Sequence, residues 1–207
     1  MSEIRIGLAG LGRFGRLHAS VLSTTPGAVL AAVCDPLESE LEEVAGRYEL
    51  PDRFTDYETM LAEAPLDCVS LATPEPLHAE MVRAALEHGL HVFVEKPLAT
   101  DHQEARRVAD AAAHAGLHVQ VGFVLRFDPL HAYVREQRLH ERPEGSYWPE
   151  LHGRITGALR EELTDFVECV RAGRPSDVAS LDDAVEGLRI ADAVVASAEA
   201  GAEVALD

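Results

Sequence analysis

Short apolar runs alternate strictly with helical patterns through the first two thirds of the chain, and this alternation restricts the fold more than any other feature. The runs Ile4–Ala9, Val29–Cys34, Cys68–Ala72, His91–Glu95 and Val119–Phe123 read as strands. Helical spacing covers Phe14–Ser23, Glu38–Tyr48, Pro76–His88 and His102–Ala115, with a short strand around Phe54 and a helix over Tyr57–Ala62. Strand and helix in turn imply a parallel sheet wound on both faces with right-handed crossovers. The runs are almost wholly apolar, as strands covered on both faces must be.

The alternation stops after Phe123. Arg126–Leu139 predicts a helix, Glu141–Gly145 a polar turn, and Tyr147–Thr156 a strand with Pro149 at its edge or start. Two amphipathic helices follow. The first, Gly157–Arg171, groups Leu159, Leu163, Phe166, Val167 and Val170. The second, Leu181–Ala200, groups Leu181, Ala184, Val185, Leu188, Ala191, Val195 and Ala198, a stripe widened by Ile190 and Val194. Gly173 and Pro175 separate them. The expected fold class is α/β: a doubly wound parallel-sheet domain over residues 1–124, then a reduced, mainly helical C-terminal region over 125–207. A chain of 207 residues buries enough surface to need no covalent staple.

Chemistry enters at the first strand–helix turn. Gly10-Leu-Gly-Arg-Phe-Gly15 is a GxGxxG turn between a strand and a helix, the fingerprint of a Rossmann domain. Gly10 permits the tight turn, Gly12 lets a pyrophosphate approach the backbone, and Gly15 brings the helix close to the strand. Leu11, Arg13 and Phe14 lie within the same binding turn. The pyrophosphate would rest on the helix N-terminus. Asp35, ending the second strand, can accept from ribose hydroxyls and would repel a 2′-phosphate, which favours NAD over NADP; the other reading makes it a turn residue before Pro36.

Two further motifs fall at the carboxyl ends of strands, where open parallel sheets bind ligands. In Ala72-Thr-Pro-Glu-Pro-Leu-His78, Thr73 and His78 either face the cleft or serve as a helix cap and a surface residue. In Glu95-Lys-Pro97, Lys96 is the only lysine among 18 basic residues. A lysine at that edge can take a hydroxyl proton and polarise the carbonyl that forms, or it is an ordinary surface ion pair.

Acidic residues outnumber Lys plus Arg by 36 to 18, for a formal charge of −18. With no basic run, neither a nucleic acid nor an anionic membrane is expected as a partner. Cys34, Cys68 and Cys169 stand far apart and form no CxxC pair, so no disulfide framework and no metal site are expected. No apolar stretch approaches the roughly 20 residues of a membrane span, and no charged leader with an apolar run follows Met1, so the expected location is cytoplasmic.

In order and spacing, AGLGRFGRLHA, CDP, ATPEPLH, EKPLA and GFVLRFDP resemble the Gfo/Idh/MocA oxidoreductase family, with GFVLRFDP most similar to its inositol-dehydrogenase branch. The resemblance implies a Rossmann domain followed by a substrate-binding and oligomerising sheet domain, acting with NAD(P)(H) on a carbinol of sugars, inositols or related polyols. It implies that Gly10, Gly12, Gly15 and Asp35 hold the dinucleotide, and that Thr73, Pro74 and His78 lie near the nicotinamide. Glu95, Lys96 and Pro97 match the motif whose lysine is catalytic, and Arg126 would approach the substrate. The end of the chain, from Ile155 to a final strand within Ala202–Leu206, is similar to the family's last helices and strand.

The middle departs from that pattern. Most of the second-domain sheet, with the Asp and His that complete the family's proton relay, has no counterpart here. His131, Tyr133, His140 and His152 are the residues available to replace them, each read more readily as a surface or packing residue. Three readings follow: an NAD(H)-dependent polyol oxidoreductase, a catalytically incomplete NAD(H)-binding protein such as a redox sensor or accessory subunit, or an internally deleted form of a longer enzyme. The helices left uncovered must fold back on the first domain or meet another subunit, so a homo-oligomer, most simply a dimer, is expected.

Overall fold

The computed structural model describes residues 3–50, 52–128, 148–151 and 153–205. Six strands form one parallel sheet: β1 (Ile4–Ala9), β2 (Ala28–Cys34), β3 (Asp52–Phe54), β4 (Cys68–Leu71), β5 (His91–Glu95) and β6 (Val119–Gly122). Their order is β3-β2-β1-β4-β5-β6, so the winding direction reverses between β1 and β4. The connections are α1 (Arg13–Leu22), α2 (Glu38–Tyr48), α3 (Tyr57–Glu63), α4 (His78–Glu87) and α5 (His102–Ala115). The expected doubly wound α/β fold is present, with its strands and helices within a few residues of the sequence reading.

Period-2 alternation sends neighbouring strand residues to opposite faces. Val69, Leu71, Val92, Val94, Val119 and Val121 pack under α3, α4 and α5. Ile4, Ile6, Cys68 and Phe93 face α1 and a later helix. Helix ends follow from local chemistry. Asp101 accepts from the Glu104 N–H at 2.9 Å to cap α5, and Gly116 closes it in the left-handed region at φ 67°.

The C-terminal region is mainly helical, as expected, but three local expectations need correction. Val124–Phe127 form a 3-10 turn and Asp128 is extended at φ −88°, ψ 115°, so no α-helix begins at Arg126; the rest of that predicted helix lies outside the described residues. The single strand over Tyr147–Thr156 is instead a hairpin of two-residue strands, β7 (Glu150–Leu151) and β8 (Arg154–Ile155). Gly153, at φ 75°, reverses the chain there. Finally, residues 203–205 form no strand and join neither sheet, and the end of that expected strand lies outside the described residues.

The two long helices are α6 (Ala158–Ala172) and α7 (Leu181–Ala200). Helix α6 folds back on the sheet, burying Leu159, Leu163, Phe166 and Val167 beside α1. Each such side chain stabilises by roughly 1.5–3 kcal/mol relative to exposure. Helix α7 follows α5 for only half its length. Ala184 and Val185 are buried, whereas Val194 is 62% exposed and Val195 57% exposed. Asp192 fastens the helix midway by accepting from the His102 N–H at 3.0 Å and meeting its ring Nδ1 at 2.7 Å, contacts that hold the carboxyl below its ordinary range.

Candidate active site

The loops after β1, β4, β5 and β6 leave the same edge of the sheet, so its carboxyl edge carries all the motifs singled out in the sequence. The three glycines of the first turn differ in what surrounds them. Gly10 has φ 86°, and a Cβ there would lie 2.5 Å from the Ala72 carbonyl oxygen. A Cβ on Gly15 would lie 1.8 Å from the Gly10 oxygen. At Gly12 it would meet nothing within 4 Å. The first two glycines are therefore demanded by the fold, whereas Gly12 borders open space.

Gly12 is also the N-cap of α1, and no side chain caps that helix. Main-chain N–H groups in a first helical turn lack partners within the helix and attract anions. An open approach beside uncapped amides fits a diphosphate. Replacing Gly12 with valine should therefore leave thermal unfolding nearly unchanged yet weaken NADH binding at least about tenfold, measured by fluorescence titration. Equal loss of both would point to a structural role alone.

Asp35 is buried beneath this turn. Its Oδ2 accepts from the Leu11 N–H at 2.8 Å, and its Oδ1 accepts from the Leu37 N–H at 2.9 Å. Each carboxylate oxygen keeps a second acceptor direction. Leu11 itself is buried and has already given its N–H to Asp35, so it shapes the turn from below. Arg13 is exposed, and Phe14 meets Trp148 edge to face with ring centroids 5.3 Å apart. Leu37, 59% exposed directly after Asp35 and Pro36, offers an apolar platform that the sequence reading did not single out.

Thr73 caps no helix: Pro74 opens a 3-10 turn over Glu75–Leu77, and Leu77 precedes α4. Its hydroxyl instead faces the Met81 sulfur at 3.5 Å. His78 is neither cleft-facing nor superficial. It is buried, with Nε2 2.8 Å from the Thr73 carbonyl oxygen and Nδ1 2.6 Å from that of Pro97. Lys96, between Glu95 and Pro97, is exposed and forms no ion pair among the described residues. Arg126 is already engaged: it donates to Asp183 at 2.5 Å and to the Val178 carbonyl at 3.2 Å, and lies 5.0 Å from the Phe123 ring centre. It joins the turn after β6 to the start of α7. His131, Tyr133, His140 and His152 fall outside the described residues.

Beneath Lys96, Glu95 points to the opposite face of the sheet. Its Oε1 lies 3.0 Å from His18 Nε2, and His18 Nδ1 lies 2.9 Å from Ser70 Oγ. In the neutral tautomer that satisfies every group, Nε2–H donates to Glu95 and the serine hydroxyl donates to Nδ1. Glu162 of α6 adjoins this array fully buried, with neither carboxyl oxygen hydrogen-bonded among the described residues. Burial raises its pKa well above the ordinary carboxyl range, and the charges of Glu95 and Asp165 push the same way. The Phe123 N–H gives only slight relief, being held by the Val121 carbonyl at 2.8 Å.

Elsewhere the chemistry is quiet. Burial pushes the Cys34 thiol up to about 12, as expected of a small hydrophobe rather than a nucleophile. Among the described residues, no group of three or more His, Cys, Asp or Glu could hold a metal ion, and no helix is long and apolar enough to cross a membrane.

Residues 4–123 match the Gfo/Idh/MocA model, described as an oxidoreductase family with an NAD-binding Rossmann fold. The chain belongs to this family. Over 65% of its length it is 37% identical to scyllo-inositol 2-dehydrogenase (NAD(+)) of Bacillus subtilis, covering 40% of that protein. A similar stretch is 39% identical to inositol 2-dehydrogenase 4 of Saccharopolyspora erythraea, again covering 40% of it. The chain thus spans about two fifths of the length of these relatives. Among solved structures, scyllo-inositol dehydrogenase from Lactobacillus casei with bound NAD(H) and scyllo-inositol aligns with TM-score 0.63 and 32% identity, covering 66% of this chain and 41% of that one. Myo-inositol 2-dehydrogenase from Lactobacillus plantarum aligns over 97% of this chain and 98% of its own with TM-score 0.82, but at 18% identity this speaks to the fold alone.

Proposed function

We propose that this Gfo/Idh/MocA member is an NAD(H)-dependent oxidoreductase that moves a hydride to or from a carbinol of a sugar, inositol or related polyol. One observation carries the reading. The only lysine of the chain stands exposed and unpaired, among the described residues, at the sheet edge that also bears the open glycine turn. Bound NAD+ supplies the hydride acceptor, and NADH the donor in the reverse direction.

The chain's own residues supply the rest. The amides around Gly12 hold the diphosphate, and Asp35 accepts from the adenosine ribose hydroxyls. Arg13 and Phe14 border the same turn, while Thr73, Pro74 and Glu95–Pro97 wall the nicotinamide end. Lys96, as a neutral amine, takes the hydroxyl proton while the carbinol carbon loses its hydride; as an ammonium, it returns that proton during reduction. Residues 1–124 form the cofactor domain in this reading, and 125–207 the substrate and oligomerisation region. Fluorescence titration with NADH, followed by nicotinamide absorbance against a panel of inositols and sugars, tests the reading. Submicromolar to micromolar binding with turnover of at least one polyol is expected. Binding without turnover would favour a cofactor-binding sensor or accessory subunit instead, and no binding at all would reject both.

The half-covered apolar stripe of α7, with Ile190, Val194 and Val195 exposed, supports the homodimer reading. Light scattering at micromolar concentration should give twice the chain mass. Val194→Asp should return it to the monomer, and a monomeric wild type would dismiss the dimer.

A further inference from the structure

We infer that His78 is a positioning residue, a clamp that closes only when both ring nitrogens carry a proton and that then ties the Thr73 loop to the Lys96–Pro97 turn. The inference deepens the proposed function, on which its catalytic consequence rests. Both atoms facing the ring are carbonyl oxygens, at 2.6 Å from Nδ1 and 2.8 Å from Nε2. A carbonyl oxygen can only accept, and a neutral imidazole has only one N–H to give. With one proton, a bare nitrogen lone pair would face an oxygen lone pair at hydrogen-bond distance. The ring is 1% exposed, so water cannot readily come between them.

The clamp joins the loops that leave two neighbouring strands of the sheet, beyond their last paired residues Leu71 and Val94. Thr73 follows β4, and Pro97 follows β5 and Lys96. Losing one of the two bonds frees one loop relative to the other, and with it the position of the lysine against the nicotinamide wall. The charged and titratable side chains on these elements are Glu75 on the 3-10 turn, Glu80, Arg83 and Glu87 on α4, Glu95 and Lys96 before Pro97, and Asp101, His102 and Glu104 at the start of α5. Glu75, Glu80 and Lys96 are exposed, and Asp101 accepts from the Glu104 N–H. Among the described residues, none of these forms an ion pair with the ring. The two carbonyl oxygens are the acceptors that a doubly protonated ring would satisfy. With two ring protons both carbonyls are bonded and the clamp is closed; with one proton a single bond remains and the clamp is half-open.

Nitrogen-15 NMR of the wild-type chain, followed from about pH 5.5 to about pH 8.5, tests this directly. Loss of the second ring proton should shift the amide signals of Thr73 and Lys96 together with the ring, at one common midpoint. NADH affinity should weaken about tenfold across the same midpoint, the equivalent of one charge-assisted bond. His78→Gln, whose single amide nitrogen cannot stand at both ring-nitrogen positions, should bind NADH at the weaker level at every pH. A ring that titrates while both loop amides stay still, or that stays singly protonated throughout, would overturn the clamp. Should NADH fail to bind at any pH, the functional reading fails, and the coupled NMR midpoints still decide the clamp.

Discussion

Replacing Lys96 with alanine is expected to lower polyol turnover by about 10²–10⁴-fold, the usual contribution of a positioned acid–base group, while NADH still binds. The expectation comes from chemistry that no other basic residue can supply. Arginine keeps its proton at any working pH, whereas a lysine amine can give and accept one. Lys96→Arg therefore separates two roles. If the side chain acts only as a fixed positive charge, the arginine variant should recover most of the rate. If it shuttles a proton, the arginine variant should remain as slow as the alanine variant. Initial rates from nicotinamide absorbance, set beside NADH affinities by fluorescence, distinguish the cases, and an unchanged rate in both variants would remove Lys96 from the mechanism. The test is sharpened by what does not surround the lysine. Glu95, its neighbour in sequence, points through the sheet to His18 at 3.0 Å and so does not pair with it across the cleft. A fast wild-type rate would thus call for an acid–base partner outside the described residues.

The sheet was legible because strands covered on both faces show as continuous apolar runs, and their alternation with helices leaves few topologies. The glycine turn was legible for a related reason. The short contacts at Gly10 and Gly15 admit only glycine, so the fold writes them into the sequence. What stayed hidden depends on partners remote in sequence. His18, Ser70 and Glu95 meet across separations of 52 and 77 residues, and nothing local marks them as partners. Arg126 was read as approaching a substrate, and its ion pair with Asp183, in the first turn of α7, could not be read locally. His78 was read as cleft-facing or superficial, and only the packed structure shows both nitrogens turned to carbonyls. The last strand was not legible either, because strand formation depends on a pairing partner that the local sequence does not name, and residues 203–205 pair with neither sheet.

Glu162 is the clearest case of a residue whose role lies in packing alone. In sequence it is one acid in an acidic helix; in the fold it is 0% exposed, with both oxygens unsatisfied among the described residues and with Glu95 and Asp165 adding like charge. The folded chain therefore holds this proton above the pH at which the unfolded chain releases it. Between those two points the native state binds one more proton than the unfolded state, so stability is full below about pH 4.3 and is lost as pH rises toward the folded-state titration. The slope is about 1.4 kcal/mol per pH unit at its steepest. Asp183 and Asp192, held low by Arg126 and His102, act with the opposite sign and only at acidic pH. Glu162→Gln keeps the shape and removes the titration. Urea unfolding at a series of pH values should show the variant overtaking the wild type as pH rises above about 4.3, with the gap widening at that slope. Glu162→Leu should go further and stabilise across the range, because an unsatisfied buried polar group is replaced by one that wants no partner. Parallel curves for wild type and glutamine variant would mean that the carboxyl finds relief in solution, and that α6 sits less tightly on the sheet than its buried face implies.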